Sequence, residues 1–137
     1  MKRINDKVDE LKQFLDELKS IIPSSYNEYS ENLEKKAACE RYFEKIVESI
    51  ISISNLICKR ERFEIEDISK SLSILAENKI INNHLLQKLK NAKGMRNIIA
   101  HKYGEVDDLI VFESVTKELI NDSKEFIKQI KEYTNNF

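Results

Sequence analysis

Arg96, Asn97, His101 and Tyr103 fall within the run Gly94-Met95-Arg96-Asn97-Ile98-Ile99-Ala100-His101-Lys102-Tyr103. Arginine supplies a permanently charged, planar, bidentate donor for phosphoryl oxygens. Histidine, with a reference pKa of about 6.5, can take or give a proton near neutral pH. Together, without a metal-ligand cluster, they suit cleavage of an RNA phosphodiester. Attack by a ribose 2′-hydroxyl on the neighbouring phosphorus needs one group to accept a proton, one to donate a proton, and a cation on the non-bridging oxygens as charge builds. His101 is one of two histidines in the chain and the one that lies in the motif, so a single copy offers one suitable histidine. A two-fold dimer bringing two copies of the motif-bearing helix together would supply two histidines and two arginines across one cleft.

The surrounding charge points the same way. From Asn78 to Gly104 there is no Asp or Glu, while Lys79, Lys88, Lys90, Lys93, Arg96 and Lys102 contribute six positive charges. The whole chain carries −1, so the remainder carries −7, and the concentration of positive charge implies an anionic partner at the motif. With five arginines and two histidines in 137 residues, the expected number of chance Arg-x4-His pairs is about 0.07, falling to roughly 0.003 when Tyr must follow two residues later.

Plainer readings stand beside this one. A histidine at a helix end can simply meet the C-terminal dipole, an arginine can be a surface ion-pair partner, and Tyr103 can pack the end of a bundle. His84 has no other His or Cys at metal-ligand spacing, so it reads as structural. Glu40-Arg41 reads as an internal ion pair. Gly94 is a mid-helix glycine that costs about 1 kcal/mol relative to alanine, so it signals close approach by a neighbouring backbone or ligand.

The elements that must hold these residues are helical. Two glycines and one proline in 137 residues are too few for a turn-rich strand architecture. Ile4, Val8, Leu11, Leu15, Leu18 and Ile22 step by four and three, which predicts a helix over 3–21 ended by Pro23. Ser25 and Glu28 have capping-box spacing, and the stripe Cys39, Phe43, Ile46, Ile50, Ile53, Ile57 predicts one long second helix to about residue 59.

A charged loop is expected over 59–63 and a third helix over 67–76 with Ile68, Leu72 and Leu75 inward. An Asn-rich loop follows, with Asn82 or Asn83 as N-cap of a fourth helix that carries Leu85, Leu89, Ala92 and Ile99 inward and the motif at its end. Gly104 stops that helix. Asp107 or Asp108 caps a fifth helix marked by Phe112, Val115, Leu119, Phe126, Ile130 and Tyr133. The expected fold is all-α, a homodimeric antiparallel bundle of four to five helices in a single domain over 1–137. On a wheel with Arg96 at zero, Met95, Ile98 and Ile99 fall at about 200° to 300°, which puts the polar motif residues on the opposite side around the small Ala100.

No apolar run approaches the roughly 20 residues of a membrane span, and the N-terminus has no secretory pattern. A cytoplasmic protein without membrane association is expected. Cys39 and Cys58 would lie about 28 Å apart on one helix, too far for a disulfide.

The motif Arg96-Asn97-Ile98-Ile99-Ala100-His101-Lys102-Tyr103 resembles the Arg-x4-His-x-Tyr signature of the HEPN superfamily, in particular the HepT-like toxins encoded beside minimal nucleotidyltransferase antitoxins. Lys36-Ala37-Ala38-Cys39-Glu40-Arg41 and Gly104-Glu105-Val106-Asp107 are also similar to that family, so the resemblance covers roughly residues 1–133. Lys102 stands where the family commonly has Arg. The resemblance implies the toxin of a type VII toxin–antitoxin module: a homodimeric, metal-independent endoribonuclease that needs no cofactor. Arg96 and His101 would be the catalytic pair. Asn97, Lys93 and Lys102 would contact the RNA. Tyr103 would receive AMP from the partner nucleotidyltransferase, which uses ATP and magnesium, and the added phosphate would compete with RNA for Arg96. The alternative is a non-catalytic helical partner or regulatory subunit of a nucleotidyltransferase.

Overall fold

The computed structural model describes residues 1–101 and 107–135. Every regular element among them is helical. Helix α1 spans Lys2–Ile21 and buries Ile4, Val8, Leu11, Leu15 and Leu18. After Pro23, the Ser25 hydroxyl accepts from the Glu28 N–H at 3.1 Å and starts α2, Tyr26–Glu31. The Glu28 carboxylate turns instead to the N–H and hydroxyl of Ser24 and to the Lys35 ammonium.

The long second helix expected from Ser25 onward is therefore two helices. Asn32, in extended conformation, accepts from the Lys35 N–H at 3.1 Å and caps α3, Leu33–Glu61. An Asn side chain that captures a nearby backbone N–H competes with helix continuation. The break lets α2 turn so that Tyr29 is buried, its ring 5.2 Å from that of Phe112 near the C-terminal end of the chain. Helix α3 is the central element, and Cys39, Phe43, Ile46, Ile50, Ile53, Ile57 and Cys58 are all buried along it. Both cysteines are free thiols.

The charged segment expected as a loop over 59–63 continues α3 by two residues, to Glu61. The helix closes at Arg62, whose φ of 58° is left-handed, with the Phe63 N–H donating back to the Cys58 carbonyl at 3.0 Å. Lys79, with φ 60°, closes the next helix the same way, the Ile80 N–H reaching the Leu75 carbonyl at 2.9 Å. These are Schellman closures made without glycine. Asp67 caps a 3₁₀ turn, Ile68–Lys70, that leads into α4, Ser71–Glu77. Leu72 and Leu75 are buried, but Ile68 is exposed, contrary to expectation, because the 3₁₀ turn takes it off the α-helical stripe.

Helix α5 spans Asn83–His101. The last helical stretch begins at Asp107, whose carboxylate accepts from the Leu109 N–H. It runs as α6, Asp108–Glu113, a π turn over Ser114–Glu118, and α7, Leu119–Thr134. Val111, Val115 and Leu119 are spaced by fours, and on a 3.6-residue helix each step would rotate the stripe by about 40°. The wider π turn keeps all three buried.

Partner positions set the directions. Tyr42 donates to Glu17 at 2.9 Å and the Lys45 ammonium sits over the Phe14 ring at 4.5 Å, so α1 and α3 are antiparallel. Asn82 meets Gln129 and Lys88 meets Asp122, so α5 and α7 are antiparallel too. Lys36 ties the start of α3 to Asp108 at 2.8 Å. No helix among the described residues is long and apolar enough to cross a membrane.

Candidate functional site

The motif ends α5, and α5 is fixed chiefly at its start. Asn82 accepts the Leu85 N–H on its side-chain oxygen at 2.8 Å, and its own backbone N–H donates to the side-chain amide oxygen Oε1 of Gln129 at 2.9 Å. Lys88 lies 3.9 Å from Asp122 on α7, whose carboxyl is pushed up by burial and pulled back by that ammonium. Leu85, Leu89 and Ile99 are buried, with Ala92 and Met95 packed partly against the core.

These positions define the inward face. With Arg96 at zero, Leu85, Leu89, Ala92, Met95 and Ile99 span about 260° through zero to 20°. Arg96 thus continues the core-facing stripe, rather than lying opposite it as the wheel first suggested. Ile98, expected in the core, is 38 % exposed. Met95, Ile98 and Ile99 alone point the helix face one way, and the longer stripe of Leu85, Leu89 and Ala92 behind them sets it differently.

Arg96 is half-buried, its side chain 23 % exposed, with Nη1 4.0 Å from Oε1 of Glu48 on α3. Its Nε is buried and has no hydrogen-bond partner among the described residues. The Glu48 side chain is 49 % exposed, and a pair so open to solvent contributes up to about 1 kcal/mol. Asn97 and His101 are exposed on the other side of α5. His101 lies about 140° around the helix from Arg96. One copy therefore places the guanidinium and the imidazole on the same helix end without aiming both at one atom.

Lys93 donates from its ammonium to the Ser69 carbonyl at 2.8 Å, joining α5 to the 3₁₀ turn before α4. Lys102 and Tyr103 lie outside the described residues, as does Gly104. His84 is exposed in the first turn of α5. Arg41 reaches Glu44, one turn along α3, at 3.1 Å. Gly94 is exposed, and a Cβ built there would meet nothing within 4 Å among the described residues, so none of them explains it. No group of three His, Cys, Asp or Glu side chains among the described residues is placed to hold a metal.

Glu48 is the residue that sequence reasoning missed. A signal was present: a window of 27 residues without a carboxylate forces any counter-charge for Arg96 to come from another element. Nothing in the pattern of α3 says which of its glutamates that is.

A cleft of about 260 Å³ lies on the opposite flank of α5, between Lys88, Asn91 and Met95 and the π turn with Asp122. It does not include Arg96 or His101.

Comparisons with known proteins address the whole arrangement. Over 90 residues, 64 % of this chain, the sequence is 33 % identical to the mRNA nuclease HepT of Shewanella oneidensis, and the aligned stretch covers 66 % of that protein, just under two thirds. It is 22 % identical to the tRNA nuclease HepT of Aphanizomenon flos-aquae over 95 % of this chain and 88 % of the relative. The structure of the tri-AMPylated Shewanella oneidensis HEPN toxin in complex with its MNT antitoxin superimposes with a TM-score of 0.86, at 25 % identity, covering 94 % of this chain and 96 % of that one. Residues 11–130 match the family described as Ribonuclease HepT-like. With that match spanning α1 to α7 and the helical fold shared, the chain belongs to the HepT-like ribonuclease family.

Proposed function

We propose that this protein is the toxin of a type VII toxin–antitoxin module, a metal-independent endoribonuclease acting in the cytoplasm as a homodimer. Residues 1–137 form its single HEPN-like domain. The observation that carries the reading is the union of an Arg-x4-His pair at the end of α5 with a family match over residues 11–130. The 140° separation of the pair on one helix favours a composite site, in which the exposed imidazole of one copy works with the guanidinium of the other.

In this reading Arg96 stabilises charge on the phosphoryl oxygens while His101 moves the proton of the 2′-hydroxyl or of the leaving 5′-oxygen. Asn97 orients the phosphate. Lys93 and Lys102 contact the RNA backbone, Lys93 by exchanging the Ser69 carbonyl for phosphate. Tyr103 is the acceptor for AMP from a minimal nucleotidyltransferase antitoxin, and the added phosphate and base occupy the anion site and silence the toxin. The relatives named for mRNA and tRNA share one substrate chemistry, the RNA phosphodiester.

Purified chain in excess chelator should cut RNA to leave a cyclic phosphate and a 5′-hydroxyl, and His101→Ala or Arg96→Ala should stop it. Cleavage that needs added metal, or that survives His101→Ala, rules the mechanism out. A second reading has one observation in its favour: in a single copy the Arg96 guanidinium turns toward Glu48 rather than toward His101. It makes the protein a non-catalytic partner of a nucleotidyltransferase. Expression without the neighbouring gene separates the two, because growth arrest relieved by Arg96→Ala belongs only to a toxin.

A further inference from the structure

Arg96 sits in an unusual position for a phosphate-binding arginine. It continues the buried stripe of α5, its Nε is buried without a hydrogen-bond acceptor among the described residues, and its own helix offers no carboxylate. A half-buried guanidinium without a counter-charge is unstable in that position and turns outward to water. The carboxylate that faces it belongs to Glu48, in the middle of the central helix α3.

We infer that Glu48 is a positioning residue for the ribonuclease site, holding the Arg96 guanidinium at the mouth of the α3–α5 interface with its terminal nitrogens available to a phosphate. The inference rests on the ribonuclease reading and adds to it a residue that lies outside the motif. Two features of the geometry support it. At 4.0 Å the contact is longer than a hydrogen bond, so Glu48 acts on Arg96 through charge and Nη1 keeps its protons for an incoming anion. With Nε buried, only the Nη edge of the guanidinium can reach an outside phosphate, so the pull of the Glu48 charge on Nη1 bears on where that edge lies.

Glu44 provides an internal control. It stands one turn away on α3, carries the same charge and pairs with Arg41, not Arg96. The test compares Glu48→Gln, Glu48→Asp and Glu44→Gln in the full chain. Three quantities are read: thermal midpoint, kcat and KM for RNA, and solvent exchange of the Arg96 side-chain Nε–H by NMR, assigned through Arg96→Lys.

Glu48→Gln should lower kcat by roughly ten- to a hundredfold, the upper end being the loss expected for a catalytic group misplaced by about 1 Å. KM should stay the same or fall, because a carboxylate that competed with RNA has been removed. Glu48→Asp should recover part of kcat, and Glu44→Gln should match the unmodified chain. Thermal midpoints should remain close to one another, since Glu48 is half-exposed. The inference is overturned if Glu48→Gln cleaves at the full rate, if Glu44→Gln loses as much, or if the loss lies wholly in KM. Should the unmodified chain cut no RNA, the ribonuclease reading fails and the Nε–H decides alone. Slow exchange that becomes fast in Glu48→Gln supports the hold, and equal exchange in both overturns it.

Discussion

Helices α3 and α5 lie against the same core and use their surfaces differently. Along α3 ten residues are buried, including both cysteines, and the stripe persists from Cys39 to Cys58. Along α5 only Leu85, Leu89 and Ile99 are buried. The outward side of α5 has an order of its own: Asn83, Gln87, Lys90, Gly94, Asn97 and His101 are all exposed and step by four, three, four, three and four. That is the spacing of a helix seam, written in polar residues with a glycine in the middle. A helix that stabilises the fold fills its seam with Ile and Phe. A polar, open seam leaves α5 a face that its own chain does not cover.

The contrast is broken most directly by exchanging the consequences of substitution. His101→Ala should lower RNA cleavage by roughly 10²–10⁴-fold, the usual contribution of a general acid or base, and should leave the thermal midpoint almost unchanged because His101 is exposed. Ile53→Ala, at a fully buried position of α3, should cost about 2–5 kcal/mol in urea unfolding. Its cleavage per folded molecule should be retained. If His101→Ala unfolds the protein, or Ile53→Ala abolishes cleavage in the folded fraction, the division of labour between the two helices is wrong.

A pH measurement sharpens the α3 side. Burial raises the Cys39 thiol to about 11, whereas a thiol in the unfolded chain ionises near 8.5 to 9. The native state therefore holds its proton where the unfolded state releases it. The stabilisation is intact below about pH 8.5 and is lost as pH rises toward 11. Between pH 7.5 and pH 10.5 the unmodified chain should lose about 2 kcal/mol more than Cys39→Ala, read from urea unfolding curves at each pH. Equal losses in the two proteins would mean that the Cys39 thiol is not desolvated.

How much of this was legible in advance follows the same contrast. The stripes of α1 and α3 could be read because apolar side chains repeat at helical period over many turns, and the bundle followed from them. The break at Asn32 was not legible, since a capping residue inside a charged stretch looks like any polar surface residue until α2 is seen burying Tyr29. The closures at Arg62 and Lys79 were hidden for a related reason, as both use a long basic residue where glycine is the usual signal. On α5 the motif residues stood out by type, but their facing did not. Three adjacent apolar residues near the helix end rotated the inferred wheel, and only Leu85 and Leu89 further back correct it. The Glu48 contact joins residues 48 apart in the chain and leaves no periodic trace.

The smallest expected effect tests what the polar seam is for. Gly94 is central to it, and a methyl group there meets nothing within 4 Å among the described residues. Replacing glycine by alanine inside a helix stabilises it by about 1 kcal/mol, so Gly94→Ala should raise the thermal midpoint by roughly 3–5 °C for a chain of this size. If the seam only faced water, that gain would come without loss. With the seam apposed to the same seam of a second copy, two added methyl groups enter the cleft between Lys90 and His101, and cleavage should fall severalfold even as the fold becomes more stable. Opposite signs for stability and activity from one methyl group would place the second copy at Gly94. A higher midpoint with unchanged cleavage would leave the glycine a tolerated defect and the seam an ordinary solvated surface.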